Sequence, residues 1–128
     1  MNVLGIGTDI TEIERVERML ERHGEFFRTR VYTDTELEYC QARKNEAQHF
    51  AGRWAAKEAI LKAVGTGWIT GISWRDVEVV NEPSGKPVVR LHRGALEEAT
   101  KRGIREILIT ISHCDCHAVA FATALGDA

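Results

Sequence analysis

The alternation of apolar and polar residues in the first part of the chain predicts a short strand followed by a helix. Residues 3–7 form an apolar run that is typical of a strand. Thr11 and Glu14 have the spacing of a capping box, so we expect Thr11 to be the N-cap of a helix. Gly24 is expected to end that helix.

Two further helices are predicted in the middle of the chain. Residues 25–32 are basic and aromatic, and we interpret them as a connector. Thr33 opens a second capping-box pattern, which predicts a short helix that ends near Arg43. An almost continuously apolar helix is then expected over 46–64, with Gly65 as its C-cap.

The second half of the chain has short apolar runs that are typical of strands, separated by turn residues and one amphipathic segment. The last run carries alanine at every second position, and such a small-residue face lets a helix pack very close. The predicted elements are strands at 77–79 and 88–91, a helix at 94–102, and a hairpin of strands at 104–112 and 118–125.

This order of elements predicts the fold class. A strand, three helices, two strands, a helix and two more strands indicate an α+β fold. We expect an antiparallel sheet packed against the long central helix and the shorter helices. With 128 residues, the chain is expected to form a single domain over residues 1–128.

Composition narrows the class of protein. The hydrophobic and charged fractions, 44% and 28%, are ordinary for a soluble globular protein, and a net charge of −2 provides no general basic field for nucleic acid. Three cysteines, an odd number, do not suggest a disulfide framework. No apolar run reaches the roughly 20 residues that span a bilayer. We therefore expect a cytoplasmic protein with reduced thiols that binds neither nucleic acid nor membrane.

The long apolar helix carries two charged residues on one narrow arc. Glu58 and Lys62 lie one turn apart there, together with Ala51 and Ala55. One interpretation is an ordinary i, i+4 ion pair on the helix surface. The other is a functional pair, because a carboxylate on so apolar a helix needs a charged partner or a metal. The helix ends in Gly65-Thr66-Gly67, where free backbone N–H groups could hold phosphate oxygens.

A second carboxylate, Asp9, directly follows the first strand. It would be either a helix-entry residue or, together with Glu58, one of a pair of ligands for a hard metal ion. Magnesium commonly takes one or two carboxylates and completes its coordination with water and substrate phosphate. We therefore hypothesise that the two carboxylates form a magnesium site.

Residues 113–117 read His-Cys-Asp-Cys-His and look like a soft-metal cluster. We interpret them as a hairpin turn, because an extended segment points its histidines and cysteines to opposite faces. His113 could still present its ring to a ligand phosphate. Cys40, on a short helix, is expected to be a core residue.

The first helix has a stripe of arginines. Arg15, Arg18 and Arg22 share one side of it, and Met19 lies between them and the apolar face. The stripe is either a solvated face with intrahelical ion pairs or a docking surface for an acidic helix of a partner. Met19 would be an adaptable apolar contact in the second case.

Four stretches of the sequence gain meaning when they are taken together. They are Gly5-Ile-Gly-Thr-Asp9-Ile10 with Ile13 and Arg15, Phe50-Ala-Gly-Arg53-Trp54-Ala-Ala-Lys57-Glu58-Ala with Lys62 and Gly65-Thr66-Gly67, Gly85-Lys86-Pro87, and Ile111-Ser112-His113. In this order they resemble the motifs of the holo-acyl-carrier-protein synthase family, the small 4′-phosphopantetheinyl transferases. The resemblance covers nearly the whole chain and is highly specific.

The resemblance implies an activity and a set of residue roles. The phosphopantetheine arm of coenzyme A would move to a serine of apo acyl carrier protein, with adenosine 3′,5′-bisphosphate as the leaving group. Asp9 and Glu58 would hold Mg²⁺ against the pyrophosphate, and Lys62 would neutralise phosphate charge. The family is typically a homotrimer with each site between two subunits. The implied nucleotide-site residues are Lys57, Gly65, Thr66, Gly67, Lys86, Pro87, Ser112 and His113, and the implied carrier-protein contacts are Arg15, Met19 and Arg22 with Arg28 and Arg30.

The residues by themselves leave three functions open. The first is the transferase, in which the serine proton would go to Glu58 directly or to a metal-bound water. The second is a non-catalytic module that binds carrier protein or nucleotide through the arginine stripe. The third is a metal-dependent phosphohydrolase, which would also use Asp9 and Glu58.

Overall fold

The computed structural model describes residues 1–127, and its elements have the predicted order and the predicted α+β class. None of the helices in this range combines the length and the apolar character needed to cross a membrane. The helices are α1 (Ile13–Val31), α2 (Asp34–Gln41), α3 (Glu46–Val64) and α4 (Arg93–Lys101), and the strands are β1 (Asn2–Glu12), β2 (Val77–Asn81), β3 (Pro87–Leu91), β4 (Ile104–His113) and β5 (His117–Gly126).

The strands form two antiparallel sheets. One has three strands with β5 between β1 and β4, and the other consists of β2 and β3. The alanine face predicted for the last strand is fully buried, and most of it lies in the core cluster that α3 dominates. This confirms that the small side chains let the helix approach the sheet closely. The members of the face are Ala118, Ala120, Ala122 and Ala124.

β1 approaches α3 even more closely than β5 does. A Cβ atom added to Gly5 would lie 2.0 Å from the carbonyl oxygen of Ala63, and one added to Gly7 would lie 2.1 Å from that of Ala59. Because these are backbone atoms that cannot move aside, only glycine fits at the two positions. The glycines therefore bring the following residues of β1 next to the middle of α3.

β1 is longer than the sequence predicted. It runs to Glu12, because its pairing with β5 continues as far as the pair of Glu12 and His117. The prediction that Thr11 caps α1 was wrong: the N-cap is Glu12, which makes no side-chain cap hydrogen bond. The Thr11 hydroxyl donates instead to Asp9 Oδ2 at 2.9 Å, so it supports the carboxylate that the sequence singled out.

α1 continues past the glycine that was expected to end it. Gly24 has a positive φ of 47° and kinks the helix, but helical backbone resumes and continues to Val31. Phe27 and Val31 lie four positions apart and are both buried in the core. Because this apolar packing stabilises the second part of the helix, the prediction of a connector over 25–32 was wrong.

The boundaries of the next two helices agree with the sequence. Thr33 caps α2 in the predicted capping box, and the helix ends at Gln41, shortly before the expected end at Arg43. α3 has the predicted bounds, and Gly65 caps it in the left-handed conformation with φ of 95°. Local capping signals therefore fixed this part of the fold well.

Candidate active site

The second half of β1 and the last turn of α3 bring Asp9 and Lys62 into contact. Lys62 Nζ lies 3.3 Å from Asp9 Oδ1 and donates to the carbonyl oxygen of Thr8 at 2.9 Å. The Lys62 side chain is 51% exposed and that of Asp9 is 19% exposed. The sequence allowed an ordinary pair between Glu58 and Lys62, but the ion pair that Lys62 makes is with Asp9. It lies at the surface, where a ligand can reach it.

Glu58 lies beside this ion pair on α3. Its pKa is raised, first because the carboxyl group is partly buried and further because of the negative charge of Asp9. The indole N–H of Trp68 and the positive charges of Lys62 and Arg15 oppose the shift. Two carboxylates that repel each other at close range form a favourable site for a cation.

The donor set at this position suits magnesium. Asp9 and Glu58 offer hard carboxylate oxygens, and Mg²⁺ needs only one or two such ligands from the protein. Over residues 1–127 there is no group of three or more His, Cys, Asp or Glu side chains that could hold a metal ion, which is what a structural zinc site requires. The residues therefore fit a magnesium ion that takes its other ligands from water and substrate.

Lys57 is not part of this surface. Its side chain is 0% exposed, and its Nζ lies 2.8 Å from Glu36 Oε1. It also donates to the carbonyl oxygens of Trp74 and Val77. The prediction that Lys57 lines the nucleotide site was therefore wrong, because its charge is fully used inside the protein.

The glycine turn after α3 differs in part from the expectation. The N–H groups of Gly65 and Gly67 both donate to the carbonyl oxygen of Leu61, at 3.0 and 3.3 Å. They close the end of the helix, so the prediction that they are free to hold phosphate was wrong. Thr66, between them, uses its hydroxyl to donate to the carbonyl oxygen of Gly67.

The remaining predicted nucleotide-site residues lie on or next to β3 and β4. Ser112 is one register step from Asp9 across the sheet, since Asp9 and Ile111 both pair with Ala120. Lys86 and Pro87, at the start of β3, line a cavity of about 500 Å³ against residues 104–109 of β4. Ser112 and His113 lie at the opposite, C-terminal end of β4, and both are exposed. His113 Nε2 lies 2.9 Å from Gln48 Nε2 at the start of α3. Lys86 and Pro87 therefore border a different part of β4 from the end that carries Ser112 and His113.

A cationic cluster near the start of α3 was not predicted. The guanidinium groups of Arg43 and Arg53 lie 3.7 and 4.0 Å from the ring centre of Tyr39. Arg53 is 4% exposed and donates to Asn81 Oδ1. Burial lowers the pKa of His49, and the charges of Arg53, Arg43 and His113 lower it further. Arg53 lies on the same apolar helix as Glu58, so the reasoning that selected Glu58 would have selected it as well.

The predicted docking residues on α1 divide into two groups. Arg15, Met19 and Arg22 remain on the surface side of α1, next to the ion pair between Arg18 and Glu14 at 3.0 Å. Arg28 is only 19% exposed and pairs with Glu46 at 3.3 Å. This ion pair ties Arg28 to α3, and its assignment as a carrier-protein contact stays a prediction.

Arg30 lies with its guanidinium 5.8 Å from the ring centre of the exposed Phe26. Cys114 and Cys116 are exposed free thiols at the tip of the hairpin between β4 and β5, and Cys40 is buried as expected. Burial raises the pKa of Cys40 to about 12, which keeps its thiol protonated.

A carboxylate pair next to an exposed lysine can bind a divalent cation together with a phosphate group. Residues 5–122 match the model of the 4′-phosphopantetheinyl transferase superfamily, and the chain belongs to this family. The resemblance seen in the motifs is thereby confirmed.

Individual relatives agree with this assignment. The chain is 48% identical, over 93% of its length and 95% of the other, to the holo-[acyl-carrier-protein] synthase of Protochlamydia amoebophila. The crystal structure of the Neisseria meningitidis holo-[acyl-carrier-protein] synthase matches with a TM-score of 0.89 and 31% identity, covering 97% of this chain and 99% of that one. That of Helicobacter pylori, in complex with coenzyme A, matches with a TM-score of 0.83 and 28% identity, covering 94% and 99%. These matches confirm the predicted fold.

Proposed function

We propose that this protein transfers the 4′-phosphopantetheine group of coenzyme A to a serine of apo acyl carrier protein. The products are holo acyl carrier protein and adenosine 3′,5′-bisphosphate. Membership of the transferase family supports the reaction, as do the names of the relatives. The observation that carries it is the convergence of Asp9 from β1 with Glu58 and Lys62 from α3.

We assign Asp9 and Glu58 as the residues that hold Mg²⁺ and Lys62 as the residue that binds the phosphate to be transferred. When bound, the ion would polarise the pyrophosphate and stabilise charge on the leaving group. Lys62 can turn from Asp9 to a phosphate oxygen without leaving the surface. Phosphoryl transfer requires mainly positioning and charge stabilisation, so these side chains suffice on the enzyme side. The nucleophile comes from the carrier protein.

The nucleotide part of coenzyme A needs further positive charge, and two groups of residues can supply it. One is Arg43, the exposed member of the cationic cluster, with the ring of His113 nearby as a hydrogen-bonding group. The other comprises Lys86 and Pro87 at the start of β3, in the cavity that borders β4. We propose that both groups bind the nucleotide, and that a neighbouring subunit brings Lys86 and Pro87 to the Asp9 site. Thr66 and Ser112 are retained as minor contacts.

The outer face of the three-stranded sheet supports a trimer. Large apolar side chains of three adjacent strands are exposed there, in a row that the strand register keeps together. A contiguous apolar patch of this kind marks an interface. We propose that other copies of the chain cover it and that each active site lies between two subunits. The residues are Ile6 and Ile10 of β1, Val119 and Phe121 of β5, and Leu108 of β4.

We propose that the acyl carrier protein docks its acidic helix on Arg15, Met19 and Arg22, with Arg30 at the edge. Arg15 also acts on the charge of Glu58, so this surface adjoins the candidate metal site. An acidic helix placed here would bring its serine close to coenzyme A. We place this reaction in the cytoplasm.

Mass spectrometry of apo acyl carrier protein tests the reaction directly. With coenzyme A, Mg²⁺ and this protein, the carrier protein should gain the mass of one phosphopantetheine group. Glu58→Gln should abolish the gain while the unfolding curve stays unchanged, and Glu97→Gln, on the exposed side of α4, is the matched control. Phosphopantetheine released into solution would indicate a phosphohydrolase, and binding without any product would indicate a non-catalytic module.

Light scattering tests the proposed assembly. The wild-type protein should have the mass of three chains at working concentration. Phe121→Glu should shift the mass toward one chain and lower the activity, because a charge cannot be buried in the apolar interface. A wild-type monomer that transfers phosphopantetheine at full rate contradicts the intersubunit site.

A further inference from the structure

Trp68 has an unusual position next to the candidate metal site. Its Nε1 is one of three buried side-chain nitrogen atoms in residues 1–127 without a hydrogen-bond partner. The N–H is close enough to the Glu58 carboxyl to favour its ionised form, yet the two do not form a hydrogen bond of normal geometry. A buried donor without a partner is unfavourable, so its position needs an explanation.

The indole of Trp68 is held in place from the inside of the protein. Its ring lies 3.9 Å from the ring of Trp74, which in turn stacks on Trp54 at 4.3 Å. The backbone of Trp74 is fixed by the buried Lys57, which donates to its carbonyl oxygen at 3.0 Å. The three rings therefore pack in one continuous stack, which holds the indole of Trp68 from its inner side.

We propose that Trp68 is a positioning residue for Glu58: its N–H donates to one carboxylate oxygen when the other oxygen binds the metal ion. This inference rests on the proposed function, since it assumes that Glu58 is a ligand. Hydrogen bonds at active sites are often long in the absence of ligand and tighten when the ligand is bound.

The chemistry of the two groups supports this role. A carboxylate has two acceptor oxygens, so it can bind a cation with one and a donor with the other. The indole N–H can only donate, and it does not compete for the metal. Fixing one oxygen orients the second, and partners of this kind commonly affect metal affinity about tenfold when they are removed. If Trp68 only fills space, its N–H is dispensable.

The substitution Trp68→Phe separates the two roles, because it keeps an aromatic ring for the stack and removes the N–H. Trp54→Phe is the matched control, since it makes the same change of ring in the same stack and keeps the Trp68 N–H. The probe is Mn²⁺, measured by paramagnetic resonance with the wild-type protein and each variant in the absence of coenzyme A. We expect the Kd for Mn²⁺ to rise about tenfold in Trp68→Phe and to stay unchanged in Trp54→Phe.

A second measurement uses the unmodified side chain and does not depend on how the variant folds. The chain has three tryptophans, which give three indole N–H signals in a ¹⁵N spectrum. Titration with Mg²⁺ should move the Trp68 signal downfield, as expected for a strengthened hydrogen bond, and leave the Trp54 signal in place.

The outcomes distinguish this inference from the proposed function. If the wild-type protein binds Mn²⁺ through Glu58, as shown by loss of binding in Glu58→Gln, and Trp68→Phe binds it equally well, only the role of Trp68 is refuted. An unmoved Trp68 signal at saturating Mg²⁺ refutes it as well. If the wild-type protein does not bind Mn²⁺ or Mg²⁺ at all, the metal site and the role of Trp68 are both wrong.

Discussion

Lys57 and Glu58 are neighbours in the sequence, but they face two different regions of the molecule. Lys57 points into the core, is fully buried and pairs with Glu36 of α2. Glu58 lies on the other side of α3, next to Asp9 and the half-exposed Lys62. One helix thus carries a charge that holds the fold together and a charge that is available for chemistry.

The partners of the two residues explain the difference. Glu36 accepts the backbone N–H groups of Thr33 and Val79 in addition to the Lys57 ammonium, at 2.9 and 2.8 Å. Both of its carboxylate oxygens therefore have partners inside the protein. Asp9 and Glu58 repel each other and share one surface lysine, so they retain capacity for a ligand. A buried charge whose partners all lie inside the protein indicates a structural role. Neighbouring charges of the same sign at the surface indicate a binding site.

The largest expected effect is a loss of stability when the buried Lys57 is replaced. Lys57→Met leaves the Glu36 carboxylate buried without its counter-charge, which typically reduces the free energy of unfolding by about 3–5 kcal/mol. Urea unfolding followed by circular dichroism measures the change. Lys101→Met, at an exposed ion pair on α4, is the control and should stay within about 0.5 kcal/mol of the wild type.

A double substitution sharpens this result. Lys57→Met combined with Glu36→Gln removes both charges and keeps an acceptor for the backbone N–H groups, so it should recover part of the lost stability. If Lys57→Met alone is as stable as the wild type but inactive, Lys57 belongs to the site after all.

A substitution on the exposed side of α3 should lower the activity and leave the stability unchanged. Lys62→Met removes a positive charge from the proposed phosphate site, and the loss of one such charge typically lowers kcat by about 10²-fold, which corresponds to ~2.7 kcal/mol. Its free energy of unfolding should stay within about 0.5 kcal/mol of the wild type, because the ion pair with Asp9 is half-exposed. Transfer kinetics with holo-carrier detection measure the first value, and urea unfolding measures the second. A large loss of stability with normal kinetics would show that Lys62 has a structural role and not a functional one.

The packing of β1 on α3 connects the two regions, and Gly7→Ala tests it. The new Cβ would lie 2.1 Å from the carbonyl oxygen of Ala59, so β1 has to move away from α3. Such overpacking costs about 2 kcal/mol in the free energy of unfolding. Because Asp9 moves with β1, the Kd for Mn²⁺ should rise too. Gly85→Ala, in a turn with open space around the glycine, should lower stability without any effect on the metal.

The features that the sequence predicted correctly depend on local signals. The capping box at Thr33, the bounds of α3 with Gly65, and the alanine face of β5 each follow from residues only a few positions apart. The proposed site residues Asp9, Glu58 and Lys62 also stand out locally, as charges next to apolar runs. Their mutual contact, in contrast, depends on the close approach of β1 through Gly5 and Gly7.

The features that the sequence missed depend on distant partners. Nothing near Lys57 shows that Glu36 will neutralise it, so the family motif suggested a ligand contact that burial rules out. The second part of α1 is stabilised by the core around Phe27, which overrides the break at Gly24. The cluster around Arg53 forms only when α2 brings Tyr39 against α3.

The smallest expected effect is on the pH dependence of stability, and it comes from His49 in the cationic cluster near the start of α3. Its pKa is lowered because burial and the charges of Arg53, Arg43 and His113 disfavour its protonated form. The unfolded chain therefore binds more protons than the folded one below the ordinary value of 6.5, so the free energy of unfolding falls as pH falls from there toward the lowered native pKa. Because the ring is only partly buried, we expect this contribution to be small. His49→Gln should remove that part of the pH dependence in urea unfolding between roughly pH 7 and 5, whereas His23→Gln, on the exposed side of α1, should retain it. Equal pH profiles for wild type and His49→Gln would show that the cationic cluster does not act on His49.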